Sequence, residues 1–215
     1  MSPLNNEERQ AGTLLLSQFK MFNEAVVVFE QQIDPAIWKG IDLCAAAFIK
    51  ARGWGGETDY AESGTFWFAP KTWRVDEEVD EEYKYFYESL STSSDEVDYE
   101  LALLTGCGTR QEQFGFRFLP SKAIFGPDRR LKAIASNIDQ AVRIELSKFK
   151  FQDLGKGAFF LPVTLDLALM AECWQENGEF PADHELFAPL RNALETLEKA
   201  VPIFDAIFAA ANDNL

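Results

Sequence analysis

The sequence predicts an α+β fold, in which a central antiparallel sheet of about four strands spans residues 65–119 and helices flank it at both ends of the chain. Three observations predict this class. Apolar residues recur at helical steps of three and four up to residue 53 and again after residue 127. Between these regions, short aromatic-rich segments alternate with a period of two, as strands do. Their links are short and rich in turn residues, which favours antiparallel neighbours.

Length and composition indicate one domain. The 215 residues are 47% apolar, which suffices to bury a core. We expect a single α+β domain over residues 1–215, with a helical hairpin over 1–53, the sheet over 65–120 and helices over 127–212. No apolar run reaches the roughly 18 residues that span a bilayer. The polar, acidic N-terminus lacks the features of a secretory signal, so we expect a cytoplasmic protein.

The first helix is predicted from about Asn6 to Gln32. Asp34-Pro35 would cap and start a second helix, which Gly53 would end. Packing against the core is the simpler interpretation of the first helix's apolar stripe. The alternative is a homodimer seam formed by Leu15, Phe19, Phe22, Val26 and Phe29.

Four segments are predicted as strands, after a glycine-rich connector over residues 53–64. They are Thr65–Ala69, Tyr83–Tyr87, Val97–Thr105 and Glu112–Leu119. In the second of them, strand alternation would place Tyr83, Tyr85 and Tyr87 on one face.

The C-terminal third is predicted to be helical. One helix would run from about residue 127 to Phe149, a loop would cover 151–157, and a helix would run from about Val163 to Asn177. Helical pattern then continues to about Ala211, with interruptions near Pro189 and Pro202.

The three cysteines predict neither a disulfide framework nor a zinc site. They are far apart and form no C-x-x-C. Cys44 and Cys173 fit buried positions, whereas Cys107 lies in a predicted turn. We expect no cofactor.

Charge is distributed unevenly along the chain. The net charge is −15, yet residues 51–100 carry −10 and residues 101–150 carry +5. In the stretch W-R-V-D-E-E-V-D-E-E-Y-K-Y-F, from Trp73 to Phe86, six carboxylates fall within seven residues. This density exceeds what solubility requires and is typical of a surface that attracts a basic partner. The pI of about 4.5 disfavours direct binding of nucleic acid.

The sequence therefore favours a non-catalytic acidic module that binds a basic, nucleic-acid-facing surface of another protein, as inhibitors, antitoxins and immunity proteins do. The candidate charged contacts are Asp76, Glu77, Glu78, Asp80, Glu81 and Glu82. The candidate aromatic contacts are Trp73, Tyr83, Tyr85 and Tyr87.

Two alternatives stay open. Glu82-Tyr83-Lys84 reads E-x-K on a predicted strand, and it resembles the arrangement in metal-dependent nucleases of the PD-(D/E)xK superfamily. The resemblance implies a divalent ion held by Glu82 with Asp76 or Asp59, and Lys84 orienting water or phosphate. The second alternative is a structural homo-oligomeric subunit. The lone histidine, His184, has no nucleophile motif to serve and is expected near a helix start.

Overall fold

The computed structural model describes residues 5–75, 82–92 and 98–212. It confirms the α+β class, with one antiparallel sheet and helices. The sheet has six strands rather than four, in the order β1-β2-β3-β4-β6-β5. The strands are β1 (Gly55–Asp59), β2 (Thr65–Ala69), β3 (Tyr85–Ser91), β4 (Phe114–Pro120), β5 (Gln152–Gly155) and β6 (Ala158–Val163).

The strand predicted at Thr65–Ala69 is confirmed, and the one at Glu112–Leu119 is confirmed with a shift of one or two residues at each end. The predicted loops at 53–64 and 151–157 were wrong, because each contains a strand. β1 pairs along its whole length with β2, although its sequence G-G-E-T-D has little intrinsic preference for strands. Gly56 makes this pairing feasible, since a Cβ there would clash with the Trp67 carbonyl oxygen.

The predicted strand at Val97–Thr105 was also wrong. Val97 lies outside the described residues, and Glu100–Leu104 form a short helix, α5. Leu101, Leu103 and Leu104 are buried, a spacing that one side of a helical turn accommodates and a single strand face does not. A short apolar run does not distinguish these two conformations from sequence alone.

The helices of the N-terminal half form a nearly continuous run. They are α1 (Asn6–Ser17), α2 (Phe19–Val28), a π-helical turn (Phe29–Ile33) and α3 (Asp34–Arg52), followed by a one-turn helix, α4 (Tyr60–Ser63). The predicted helical hairpin over 1–53 was therefore wrong. The backbone stays helical through Asp34-Pro35, and the Asp34 carboxylate accepts a hydrogen bond from Trp38 Nε1 (3.2 Å) instead of capping a new helix. Gly53 ends α3 in the left-handed conformation, as predicted.

The C-terminal helices differ from the prediction at their breaks. They are α6 (Lys122–Phe125), α7 (Asp128–Ser136), α8 (Gln140–Lys148), α9 (Leu167–Asn177) and α10 (Ala188–Asn212). The helix predicted up to Phe149 is divided in two, because the Asp139 carboxylate accepts a hydrogen bond from the Ala141 amide and caps α8. In contrast, α10 continues through Pro202, so the interruption predicted there was wrong. Near Pro189 the helix type does change, because a 3-10 helix over Glu185–Phe187 ends directly before α10.

The core lies between one face of the sheet and the helices α3, α9 and α10. Phe118 of β4 and Phe204 of α10 stack with their ring centroids 3.8 Å apart and their planes at 4°. Cys44 and Cys173 are buried and Cys107 is exposed, which confirms their expected positions.

Helices α1 and α2 lie outside this core, and we call residues 6–28 the arm. Among the described side chains of the arm none is buried, and only Val26 is half-buried. The simpler interpretation of its apolar stripe, packing against the core, was therefore wrong for Leu15, Phe19 and Phe22.

Candidate protein-binding surface

Hydrogen bonds join the two ends of the acidic segment, by which we mean residues 76–82. The Val75 amide donates to the Glu82 carbonyl (2.9 Å), and the Lys84 amide donates to the Trp73 carbonyl (2.7 Å). Arg74 and Tyr83 form the antiparallel bridge between them. The candidate contacts Asp76, Glu77, Glu78, Asp80 and Glu81 lie outside the described residues. The described part of the chain thus stops at Val75 and resumes at Glu82, and these two residues are hydrogen-bonded to each other.

Three of the four candidate aromatic contacts do not lie on the surface. Trp73, Tyr85 and Tyr87 are each at most 3% exposed. The Trp73 indole packs on Tyr87 at 5.1 Å and donates to the Asp205 carboxylate (2.8 Å), and the Tyr87 hydroxyl donates to the Leu197 carbonyl (2.9 Å). These residues fix the segment to the core, so we remove them from the set of direct partner contacts.

Tyr83 is the aromatic candidate that remains accessible. The chain bends at Lys84, so β3 begins at Tyr85 and the expected alternation does not extend back to Tyr83. Tyr83 therefore lies on the opposite side of the sheet from Tyr85 and Tyr87. It is half-buried, with its ring 5.5 Å from the Trp67 ring in an edge-on arrangement. Its hydroxyl occupies the space that a Cβ on Gly55 would need.

This opposite side of β2, β3 and β4 is half-exposed, and we call it the open face. Trp67, Glu88 and Arg117 lie in one row across the three strands, and Arg117 forms an ion pair with Glu88 in the middle of the row. Phe86 and Leu119 form the next row. The sequence analysis missed these residues. The alternation in G-F-R-F-L places Arg117 opposite the phenylalanines, but T-F-W-F-A does not tell which of its two aromatic faces is buried.

The far side of the open face is basic. A cleft of about 560 Å³ lies there, between β4, the turn from β5 to β6 and the start of α7. Lys122 and Lys156 both form ion pairs with Asp128 at its rim. These two ammonium groups lower the pKa of Asp128 to about 2, so its charge persists over the physiological pH range. The rim of this cleft thus carries two ammonium groups and one carboxylate, a net positive charge.

The sequence predicts the E-x-K match on a strand, and the structure places it just before the start of one. Glu82 is exposed and, like Lys84, precedes the first residue of β3. Lys84 lies close enough to Asp205 for its charge to lower that carboxyl's pKa, which burial raises overall. Asp59 ends β1, roughly 13 Å along the strand from Gly55, where the Tyr83 hydroxyl lies. Asp76 lies outside the described residues. Within residues 5–75, 82–92 and 98–212, no group of three or more His, Cys, Asp or Glu side chains could hold a metal ion.

His184 has a structural role. It is half-buried at the start of a short 3-10 helix, and its Nδ1 accepts a hydrogen bond from the Leu186 amide (3.1 Å). This agrees with its expected position near a helix start.

A cluster of carboxylates lies where the arm joins the body. Asp34 and Glu30 come from the helical run and Glu100 from α5, where the Glu100 carboxylate accepts hydrogen bonds from Tyr60 and from Ser91. Burial raises the pKa of Asp34; the hydrogen bond from Trp38 lowers it, and the charges of Glu100 and Glu30 raise it further.

The chain matches no protein-family model, no curated protein and no solved structure. Among the described residues, no helix combines the length and the apolar character needed to cross a membrane.

Proposed function

We propose that the chain is a non-catalytic protein-binding module of the inhibitor, antitoxin or immunity type. Its acidic segment, residues 76–82, and the adjoining side of the open face would bind a basic, nucleic-acid-facing surface of a partner protein. One observation carries the proposal. Six carboxylates in seven residues directly precede Tyr83 in the chain, and Tyr83 forms an accessible aromatic pair with Trp67.

The electrostatics support a basic partner rather than a nucleic acid. From Asp76 to Glu100 the chain carries 11 acidic residues and one basic residue, Lys84. Such a surface repels phosphate and accelerates association with a cationic surface, and both effects weaken as salt screens the charges.

The aromatic pair gives the surface a site for specific contact. Exposed ion pairs contribute little affinity individually, whereas half-buried tyrosine and tryptophan side chains are frequent hot spots of protein interfaces. The ring of Tyr83 is positioned by Trp67 and by the absence of a side chain at Gly55, so little ordering is needed on binding.

Charge reversal tests the proposal. We expect the fourfold variant Glu77→Lys, Glu78→Lys, Glu81→Lys and Glu82→Lys to lose a complex that the unchanged protein forms with a basic partner captured at low salt. The matched control reverses Glu172, Glu176, Glu179 and Glu185, which are all exposed and change the net charge equally.

Calorimetry with the purified partner, at low and at high salt, measures the difference. We expect the segment variant to lose at least about 100-fold in affinity at low salt and the control less than about tenfold. Competition by nucleic acid for the partner would identify the surface that the module covers. Equal affinity of the unchanged protein and the segment variant would refute the proposal.

A second candidate function, a self-associating structural subunit, is favoured by one observation. Of the proposed seam residues, Leu15, Phe19 and Phe22 are 39–55% exposed. No comparable observation favours the nuclease alternative. The nuclease alternative is tested by measuring DNA cleavage in the presence of a divalent ion. It requires this cleavage to be lost in the Lys84→Ala variant.

A further inference from the structure

The arm carries an apolar surface that the rest of the described chain leaves exposed. Six large apolar side chains on one side of it are 39–67% exposed: Leu14, Leu15, Phe19, Met21, Phe22 and Val28. Monomeric proteins rarely expose a contiguous apolar patch of this kind without a binding role.

The arm keeps one helical phase along its length. The break between α1 and α2 is a single residue, Gln18, whose amide still bonds to the Leu14 carbonyl and whose carbonyl accepts from the Phe22 amide. Leu15, Phe19, Phe22 and Val26 therefore lie on one continuous side. Steps of four, three and four connect Leu15, Phe19, Phe22 and Val26, which is the spacing of a two-helix seam.

The inner end of this stripe is already occupied. Phe29 is half-buried and packs edge-on against Tyr99 at 4.8 Å, so it anchors the arm to the body. This corrects the seam predicted from sequence, which included Phe29.

Within the part of the chain that the structure describes, no other segment covers the apolar side chains of the arm. Residues outside the described part are 1–4, 76–81, 93–97 and 213–215. Their sequences are M-S-P-L, D-E-E-V-D-E, S-S-D-E-V and D-N-L, and none contains an apolar helical stripe. The residues of the printed sequence therefore favour an occupant from another molecule.

We propose that the occupant is the arm of a second copy, so that two chains pair through Leu14, Leu15, Phe19, Met21 and Phe22. The exposed apolar area of this side is roughly 600 Å² per copy, judged from side chains that bury on the order of 100–250 Å² each. Pairing would bury about 1,200 Å² in total, which reaches the lower limit of specific interfaces.

Charge selects a second arm over a membrane. Residues 5–28 carry three acidic and two basic residues, a net charge of −1 in a chain of −15. Interfacial membrane helices are rich in lysine and arginine, and anionic lipid repels an acidic protein. The arm as a whole is nearly neutral, and two of its charged residues, Lys20 and Glu24, pair with each other (3.7 Å), so it meets a copy of itself without strong repulsion.

Sedimentation equilibrium of the full chain tests the pairing. We expect twice the chain mass of 24.3 kDa at micromolar concentration. Phe22→Glu should raise the dissociation constant of the dimer at least about 100-fold, because a carboxylate would be buried without a partner. The matched control is Thr13→Glu, which introduces the same charge at an exposed position nine residues before Phe22, half a turn around the helix from it. It should remain a dimer.

The possible results separate the alternatives. A monomeric unchanged protein, a dimeric Phe22→Glu variant, or equal dissociation of both variants would overturn the proposal. Flotation of the unchanged protein with phosphatidylcholine vesicles, lost in Phe22→Glu, would also overturn it in favour of a membrane. The segment variant with reversed Glu77, Glu78, Glu81 and Glu82 should stay dimeric, so this test is independent of the proposed binding of a basic partner. Circular dichroism confirms that each variant is folded.

Discussion

The arm and α3 belong to one nearly continuous helical run, yet their apolar side chains lie in opposite environments. In α3, Ile37, Ile41 and Ala45 are at most 1% exposed, whereas Leu14 and Met21 of the arm are more than 60% exposed. Both helices have apolar residues at helical spacing. The comparison teaches that helical amphipathicity predicts a buried side without identifying the molecule that buries it.

The largest expected effect contrasts one residue type in the two regions. Phe204→Ala should lower the free energy of unfolding by about 3–5 kcal/mol, because Phe204 is fully buried and stacks on Phe118. Phe19→Ala, in the arm, should change it by less than about 0.5 kcal/mol when made in the Phe22→Glu background, where arms do not pair. Urea unfolding of both variants provides the measurement. Similar losses at the two positions would contradict the division into arm and body.

An intermediate effect is expected where the two regions meet. Phe29→Ala should lower the free energy of unfolding, measured with urea, by about 1–2 kcal/mol, because the ring is half-buried and contacts Tyr99. The Tyr99 hydroxyl also donates to Glu30 (3.2 Å), a contact that the substitution leaves in place. A loss as small as that of Phe19→Ala would show that the body extends less far along the helical run than Phe29.

The smallest effect concerns the carboxylates at the same junction. The pKa of Asp34 is raised in the folded chain, so its ionised form opposes folding. The free energy of unfolding therefore increases as the pH falls through the folded pKa towards the ordinary value of 3.8, because the carboxyl becomes neutral. Asp34→Asn should therefore stabilise the protein at pH 7 by less than about 1 kcal/mol, a limit that allows for solvent screening. The gain should shrink on acidification to below 3.8.

Asp128→Asn is the control of opposite sign. The pKa of Asp128 is lowered to about 2, so its ion pairs contribute stability above pH 3.8 that is lost as pH falls through 2. Urea unfolding from pH 7 down to the acid range should show Asp34→Asn above and Asp128→Asn below the unchanged protein at neutral pH. A destabilised Asp34→Asn variant at pH 7 would show that the hydrogen bond to Trp38 outweighs the cost of burying the charge.

The surface of this chain that we propose binds the partner could be predicted only in part from the sequence. The acidic run is a property of composition and needs no structure to be recognised. Alternation that starts from Tyr83 predicts Tyr85 and Tyr87 on that surface, but the chain bends at Lys84, and no local pattern indicates this bend. Trp67, at the centre of a segment of apolar residues, was not distinguished from its buried neighbours Phe66 and Phe68, because aromatic side chains favour strands on either face.

The sequence by itself determined the α+β class, the strands β2 and β4 and the glycine end of α3, because side-chain periodicity and helix capping depend on neighbours within a few residues. Only the tertiary structure decided that β1 and β5 are strands, that residues 100–104 are helical and that the arm lies outside the core. These features depend on backbone pairing and burial against segments far away in the chain, and local propensity is too weak to specify them.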